Sequence, residues 1–285
     1  MKHCRLTSTG ALIVAAALAA GCGQDVQVDV QVQSRVSGWT EAKFEETQTN
    51  AVAHVSGKAL HVETANGGIN VRKQERADVE IISHIKATTE ERLKAVTIEI
   101  SRLQDQTLNV SVRWPDGKRE GSESCSFELL MPDLEGLTLR SSNGKLKAGG
   151  FRGKAQLRTS NGSIELSDHR GEVELRSSNG SVDARDVLGP VKAETSNGRI
   201  KVRLASEAPG PVQLESSNGK ITLEVGSSFG GELDISTSNG GIDTGGLKNA
   251  RLINSDRRNV KLQIGDSEHR SRIKTSNGSI QVKAR

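Results

Sequence analysis

Two stretches of the sequence carry residue types that could perform hydrolytic chemistry. Gly226–Gly230 reads G-S-S-F-G, which matches the G-x-S-x-G pattern of a serine nucleophile, and Ser167–His169 sets the three residue types of a catalytic triad side by side. The first pattern requires a turn from a strand into a helix, and a triad is assembled by convergence in space. No helical pattern follows Gly230, so we predict a loop there and a turn between strands at Ser167–His169.

The chain also contains carboxylates and histidines that could form an acid pair or bind a metal ion. A polysaccharide-cleaving enzyme would use two acids on one face, and Glu165 and Asp183 occupy equivalent positions of the repeat described below. Aromatic residues, which form sugar-binding platforms, make up only 2% of the chain, and the six His residues lack metal-ligand spacing. The sequence therefore predicts no catalytic, cofactor-binding or metal site. A polysaccharide-active β-helix stays the enzymatic alternative.

Cys22 is the residue whose chemistry the sequence indicates most clearly. A start containing Lys2 and Arg5 precedes an apolar run at Ala11–Ala20, which is too short for a mature transmembrane helix. The segment Leu18–Cys22 resembles the bacterial lipoprotein signal, in which the Cys thiol is acylated and the chain is cut before it. This predicts a signal peptide over 1–21 and a membrane partner reached through a lipid on Cys22.

The predicted location is extracytoplasmic and membrane-anchored. The residue after Cys22 is Gly23, which by resemblance to Gram-negative lipoproteins permits transport to the outer membrane. Cys125 then has no partner for a disulfide bond, because Cys4 lies in the segment that would be removed.

An Asn-Gly repeat dominates the rest of the chain. From Asn143 onward it recurs in steps of 18, 18, 18, 21 and 21 residues, and Asp256 can be aligned as a degenerate unit within the next, longer step. The structural turns predicted from the repeat are at Asn66, Asn143, Asn161, Asn179, Asn197, Asn218, Asn239 and Asn277.

The residues around each Asn-Gly alternate in a fixed way. Ser or Thr stands two positions before every repeat Asn, and aliphatic residues stand four before and three after, such as Leu157 and Ile164 around Asn161. Period-two alternation on both sides predicts a strand, a turn and a second strand. We expect the turn to need positive φ, which Gly tolerates freely and Asn better than most residues, and we expect the Ser/Thr column to point inward.

These units fit an all-β, parallel β-solenoid of about 8–9 coils of 17–21 residues, because one unit cannot bury its apolar face alone. An antiparallel array of Asn-Gly hairpins is the alternative, and it would pair Arg158 with Glu165. Four segments follow: a signal peptide at 1–21, a tether and opening strand at 22–49, a first coil with an irregular insertion at 50–126, and the main array at 127–285. We predict a short helix over Thr88–Lys94 within the insertion.

Repeated T-S-N-G-x-I units, entered through Ser126–Pro132, resemble bacterial "putative adhesin" β-solenoid domains of unknown function. The resemblance covers about residues 50–285. It implies a cell-envelope protein, often a lipoprotein, with some members tied to envelope-stress signalling, and it brings no catalytic residues with it.

One outward column carries a possible binding surface. Arg140, Arg158 and Arg176 occupy the same position in three successive units, and stacked coils would make them a basic stripe about 10 Å long. Such a stripe could contact lipid phosphate or another anionic envelope component. The net charge of +4 and the scarcity of aromatic residues exclude nucleic acid as the expected partner.

The sequence thus predicts a non-catalytic, adhesin-like binding or scaffold module whose partner is an envelope protein or polymer. An ice- or crystal-binding solenoid is a further alternative, but it would need Thr residues that point outward, whereas the repeat Thr column is expected to point inward.

Overall fold

The computed structural model describes residues 31–36, 44–247 and 249–285, which form an open, mostly parallel β-sheet with almost no helix. The predicted signal peptide and Cys22 lie outside the described residues. None of the helices in the described part of the chain has the length and apolar character needed to cross a membrane.

The N-terminal part combines antiparallel strands with the first repeat unit, β3–β4. Its elements are β1 Gln31–Val36, β2 Phe44–Ala53, β3 Leu60–Asn66, β4 Ile69–Lys73, β5 Asp78–Ala87, α1 Glu90–Ala95, β6 Thr97–Arg102, β7 Leu108–Arg113, a 3₁₀ turn at Pro115–Gly117, and β8 Ser124–Met131.

The central array consists of strand–turn–strand units. Its strands are β9 Glu135–Asn143, β10 Leu146–Gly149, β11 Arg152–Thr159, β12 Ile164–Arg170, β13 Val173–Ser177, β14 Val182–Leu188, β15 Val191–Asn197, β16 Ile200–Leu204, β17 Val212–Asn218 and β18 Ile221–Val225. The C-terminal part adds β19 Gly231–Asn239, β20 Ile242–Asp243, β21 Ala250–Ser255, β22 Asn259–Ile264, β23 Arg270–Asn277 and β24 Ile280–Ala284.

Successive units stack in parallel, so the solenoid-like interpretation of the repeat is confirmed and the antiparallel hairpin alternative is wrong. Strands before the turn pair with each other, with Leu157 beside Leu139 and Leu175, and strands after the turn form a second parallel stack. Equivalent aliphatic side chains are therefore superposed. They form one buried cluster that runs from Val52 to Val282.

The turn glycines are required by close packing rather than by positive φ. Of the glycines that follow the repeat asparagines, only Gly67 has φ in the left-handed region, at 140°. A Cβ on Gly162 would lie 2.0 Å from the carbonyl oxygen of Gly144 in the neighbouring unit, and a Cβ on Gly180 would lie 2.0 Å from that of Gly162. The prediction that these turns need positive φ is therefore wrong. Gly is required because the neighbouring backbone leaves no room for a Cβ.

Positive φ occurs instead at the other corners of the coil. Gly153 and Gly171, with φ of 87° and 135°, occupy one such corner, and Asp168 and Asp186, with φ of 46° and 52°, occupy another. Asp tolerates this region better than most residues, which fits its use where no Gly is present.

The inward Ser/Thr column is confirmed and ties neighbouring turns together. Thr159 Oγ1 donates a hydrogen bond to the carbonyl oxygen of Gly144 at 3.1 Å, and Ser177 Oγ donates to that of Gly162 at 2.9 Å. The same bond recurs along the stack, and the hydroxyl-bearing side chains are buried. Each buried hydroxyl is thereby satisfied by the carbonyl that the close glycine contact brings within reach.

The stacking order departs from the chain order near the C-terminus. β23 pairs in parallel with β17 on one side and with β19 on the other, so the last unit lies between those of Asn218 and Asn239. β24 is likewise placed between β18 and β20. The final residues of the chain therefore join the Asn239 unit to the array.

The predicted degenerate unit at Asp256 is wrong. β21 and β22 form an antiparallel hairpin, and Asp256 lies in its turn, where its Oδ1 accepts hydrogen bonds from the backbone N–H groups of Arg258 and Asn259. β22 also pairs antiparallel with β19. A unit that lacks the turn Gly could not stack closely on its neighbours, because a side chain would clash at the turn. The β21–β22 hairpin instead covers the edge of the stack at β19.

The helix predicted over Thr88–Lys94 is confirmed as α1, with Thr89 as its N-cap. Arg92 holds it against buried Glu123, with Nε 2.7 Å from Oε1. Burial opposes ionisation of Glu123, but hydrogen bonds from Arg92 and from the backbone N–H groups of Glu120 and Thr88 outweigh it and lower its pKa to about 2. Cys125 is free and fully buried nearby, and this burial raises the pKa of its thiol.

Ser167–His169 lies within β12, so the predicted turn between strands is wrong, and the positive φ of Asp168 marks a bend inside the strand. His169 points into the core, is fully buried beside Val187 of the next unit, and its Nε2 lies 2.8 Å from the Gly153 carbonyl oxygen. Burial lowers the pKa of His169 because the charged imidazolium would lose its hydration.

The glycine contact predicts a large difference between two Gly→Ala variants. Gly162→Ala should destabilise the protein by about 2–3 kcal/mol through overpacking against the neighbouring backbone. Gly241→Ala is the matched control, because a Cβ there meets nothing within 4 Å, and it should change stability by less than about 0.5 kcal/mol. Urea unfolding followed by circular dichroism measures both, and equal effects would refute the packing explanation.

Buried His169 predicts a pH-dependent loss of stability. Its pKa is lower in the folded state than the unfolded value of about 6.5, so below that pH the unfolded chain binds a proton that the folded chain does not. The free energy of unfolding should fall as the pH decreases through the unfolded-state value of about 6.5. His169→Leu should flatten this slope, whereas a change at exposed His269 (His269→Gln) should leave it in place. Unfolding midpoints at several pH values decide the point.

Candidate functional site

A surface groove runs along the strands that precede the Asn-Gly turns. Its volume is about 690 Å³, and we call it the Arg–Ser groove. Two neighbouring outward columns line it, the first made of Glu63, Arg140, Arg158, Arg176, Glu194, Glu215 and Lys274, and the second, two residues later in each unit, of Ser142, Ser160, Ser178, Ser196, Ser217 and Ser276. The groove crosses the stacked units and therefore presents repeated groups about 4.8 Å apart.

The three arginines of the predicted stripe lie side by side in this groove. Parallel register places Arg158 between Arg140 and Arg176. Arg158 and Arg176 share the carboxylate of Glu174, with nitrogen–oxygen distances of 2.9 Å and 2.7 Å. Arg140 forms no ion pair within the part of the chain that the structure describes, so its guanidinium is available to a ligand.

Glu174 is the residue of this site that the sequence argument missed. Partial burial opposes its ionisation, but hydrogen bonds from Arg158 and Gln156 and the charge of Arg176 outweigh that effect and hold its pKa below the ordinary range. Its position two residues before Arg176 on the same strand face was the available signal. Glu174 is thus ionised and offsets part of the positive charge of the stripe.

The basic stretch is bounded by acids at both ends. Glu63 pairs in register with Arg140, and Glu194 follows Arg176 in the next unit, where it contacts Lys192 at 3.0 Å. Glu215 extends the acidic end. The three arginines therefore form a basic segment with acids on both sides, and Lys274 follows Glu215 farther along the same column.

The repeat asparagines border the groove as a ladder of side-chain amides. Asn179 Nδ2 donates to Asn161 Oδ1 at 2.9 Å, and Asn197 Nδ2 donates to Asn179 Oδ1 at 2.8 Å. The ladder continues in spatial order through Asn143, Asn161, Asn179, Asn197, Asn218, Asn277 and Asn239. Asn66 instead donates to the carbonyl oxygen of Glu123. The predicted turn asparagines are thus structural, and their amides are mostly engaged with each other.

The carboxylates considered for glycan cleavage are neighbours but are engaged elsewhere. Glu165 and Asp183 are paired in register, yet Glu165 contacts Lys145 at 2.6 Å and Asp183 contacts Arg185 at 2.8 Å. The hydrogen bond from Arg185 outweighs partial burial and lowers the pKa of Asp183. A general acid for glycoside hydrolysis needs the opposite shift.

The serine of the G-x-S-x-G stretch lies in a loop between β18 and β19, as predicted. A strand follows it instead of the helix that a nucleophile elbow requires. Within the described residues, no cluster of three His, Cys, Asp or Glu side chains could hold a metal ion. The groups that line the Arg–Ser groove are guanidinium, hydroxyl, carboxylate and ammonium groups.

The sequence model of the Toastrack DUF4097 family matches residues 95–283, about two thirds of the chain. The chain belongs to this family. None of the curated proteins matches the sequence.

Solved structures with a distant similarity include a putative cell adhesion protein from Clostridium sporogenes. It is 13% identical, with 90% of this chain and 100% of that chain covered and a TM-score of 0.34. A putative adhesin from Bacteroides fragilis is 13% identical, with 83% and 96% covered and a TM-score of 0.46. One from Parabacteroides distasonis is 8% identical, with 83% and 96% covered and a TM-score of 0.31.

The amide ladder predicts that Asn179→Asp destabilises the protein at neutral pH. The carboxylate can no longer donate to Asn161 Oδ1 and would face that oxygen directly, which should cost about 1–2 kcal/mol. Protonation below about pH 4 restores a donor and should recover part of the loss relative to the wild type. Ser178→Ala, one position earlier on the exposed surface, is the control and should be nearly neutral. A pH-independent defect in Asn179→Asp would contradict the ladder's role.

Proposed function

We propose that the protein is a non-catalytic cell-envelope lipoprotein that acts as an adhesin-like binding or scaffold module and holds an extended anionic polymer in the Arg–Ser groove. The observation that carries the proposal is the register of Arg140, Arg158 and Arg176 along a groove lined by serine hydroxyls. Envelope-stress sensing, which the resemblance implies for some relatives, stays a prediction.

The shape of the groove favours an extended partner over a small ligand. It is open along its length, and its repeating groups are set by backbone hydrogen bonds of the stack, so they are held in place before a ligand arrives. Guanidinium groups bind phosphate and carboxylate with paired hydrogen bonds, and hydroxyls both donate and accept. A polymer with regularly spaced anionic groups would meet several of these contacts at once.

The proposed anchor fits the arrangement of the described strands. Only a short segment separates Cys22 from β1 at Gln31, and β1 pairs with β2 at the end of the molecule that contains the Asn66 unit. A lipid on Cys22 would hold this end at the membrane surface, which is the outer membrane in a Gram-negative cell, and the Asn239 end would point away from it.

The alternatives have less support. Thr159, like the other Thr residues two positions before a repeat Asn, is buried, whereas an ice-binding surface would need an outward Thr array. A polysaccharide-active enzyme would need a carboxyl group with a raised pKa, and Asp183 shows the opposite shift. Binding by the groove uses the observed arrangement without such a group.

Anionic polymers should bind the groove in a way that depends on Arg158 and Glu174. In biolayer interferometry with the mature chain, polyphosphate and polygalacturonate should bind and neutral dextran should not. Arg140→Gln and Arg158→Gln should each weaken binding by about tenfold, which corresponds to about 1.4 kcal/mol. Glu174→Gln should strengthen it, because it removes the carboxylate that two arginines share.

Arg199→Gln is the matched control, because Arg199 is exposed but lies after the turn, outside the groove. This variant should bind the polymers like the wild type. Binding to vesicles that contain anionic lipid is measured in parallel, and it distinguishes recognition of a lipid headgroup from recognition of a polymer. A loss with Arg199→Gln equal to that with Arg158→Gln would reduce the interaction to overall charge. The absence of binding to both polymers would remove the anionic partner from the proposal.

A further inference from the structure

The β21 strand is an open edge of the sheet at the end of the molecule that contains the Asn239 unit. Within the described residues it pairs with β22 alone, so the backbone groups along its other side have no strand partner. All six residues of β21 are exposed. An unpaired edge of this kind can accept an additional strand through main-chain hydrogen bonds.

The apolar interior of the protein continues onto this edge and becomes uncovered there. Leu233 of β19, Leu262 of β22 and Leu252 of β21 are paired across the three strands. Their exposed fractions rise from 0% to 5% to 59% along that row. Ile253, next to an irregularity in the pairing, is 48% exposed. One more strand placed beside β21 would therefore extend the buried row.

The edge is also basic. Arg251, Arg257 and Arg258 are exposed and form no ion pair within the described part of the chain, whereas Lys261 of β22 is paired with Glu232 at 2.9 Å. Asp256 has its carboxylate engaged by the turn, where Oδ1 accepts from the backbone N–H of Arg258 at 2.7 Å. One hairpin therefore carries three arginines with no ion pair among the described residues together with two exposed aliphatic side chains.

We propose that β21 binds an extended acidic segment of a partner protein, in which apolar residues alternate with Asp or Glu, as an added β-strand. Backbone pairing satisfies the open edge, the apolar residues cover Leu252, and the acidic residues meet the arginines. A second copy of this chain is the less suitable occupant, because two β21 strands side by side would bring both sets of arginines together. This site is separate from the Arg–Ser groove and independent of the function proposed for it.

Short labelled peptides test the proposal by fluorescence anisotropy. The probes are a peptide in which Val alternates with Glu, the same peptide with Lys in place of Glu, and the Glu peptide interrupted by a central Pro. The wild-type chain should bind the first and neither of the others, because Lys reverses the charge and Pro cannot complete the strand pairing.

Two sets of variants then locate the site. Leu252→Lys with Ile253→Lys should weaken binding of the Glu peptide by about tenfold or more, and so should Arg251→Gln with Arg257→Gln and Arg258→Gln. Leu103→Lys is the matched control, since Leu103 is a similarly exposed aliphatic residue, at 51%, in the N-terminal part. It should bind like the wild type. All the altered side chains are exposed, and circular dichroism verifies that each variant is folded.

Several results would overturn the proposal. These are no binding of the Glu peptide, equal binding of the Glu and Lys peptides, or an equal loss in the Leu103→Lys control. Sedimentation of the wild-type chain adds one more. A dimer that Leu252→Lys with Ile253→Lys abolishes would assign the edge to a second copy of this chain instead of an acidic partner.

Discussion

The contact between successive turn glycines is the constraint on which the rest of the structure depends. Each turn passes so close to the next that a Cβ on Gly162 would overlap the Gly144 carbonyl, and the same holds along the stack. That proximity brings each glycine carbonyl within reach of an inward Ser or Thr hydroxyl and lets the asparagine amides bond in a continuous ladder. Close packing, hydroxyl bonds and amide bonds therefore all specify the same register.

A fixed register determines which surfaces are free to carry function. Inward positions are occupied by aliphatic side chains and by the hydroxyls that bind the turns, so they are not available to a ligand. Outward positions stack into columns, and each unit contributes one side chain to each column. The Arg–Ser groove is such a surface, and its basic centre exists because Arg140, Arg158 and Arg176 recur at one position. The partner proposed for this surface is extended because the column crosses several units.

The ends of the stack pose a different problem, because a solenoid exposes unpaired edges there. At the Asn66 end, β7 and β8 pair with β3 and β4, and further antiparallel strands continue from them. At the other end, β22 covers β19. The C-terminal unit enters between two earlier units and so holds the terminal hairpin to the array. β21 is left as an open edge by this arrangement, which makes it the natural place for a partner strand.

Much of the fold could be predicted from the sequence, because alternation and repetition are local properties. The strands on both sides of each Asn-Gly, the inward Ser/Thr column and the α1 helix with its Thr89 cap all follow from residue types at short spacing. The stacking of Arg140, Arg158 and Arg176 follows from the step of the repeat. These features depend on which residues are neighbours along a strand or at equal positions of identical units.

Only the tertiary structure decided the rest, because it depends on distances between residues far apart in the chain. The turn glycines are needed because a Cβ on Gly162 would clash with the Gly144 carbonyl of the neighbouring unit. This contact joins two units, so it cannot be inferred from the sequence of either unit alone. The same is true of Glu174, which is shared by arginines of two units, and of the last unit, which lies between the Asn218 and Asn239 units. The sequence determined what one unit is, and packing between units determined where each unit lies and which edge stays open.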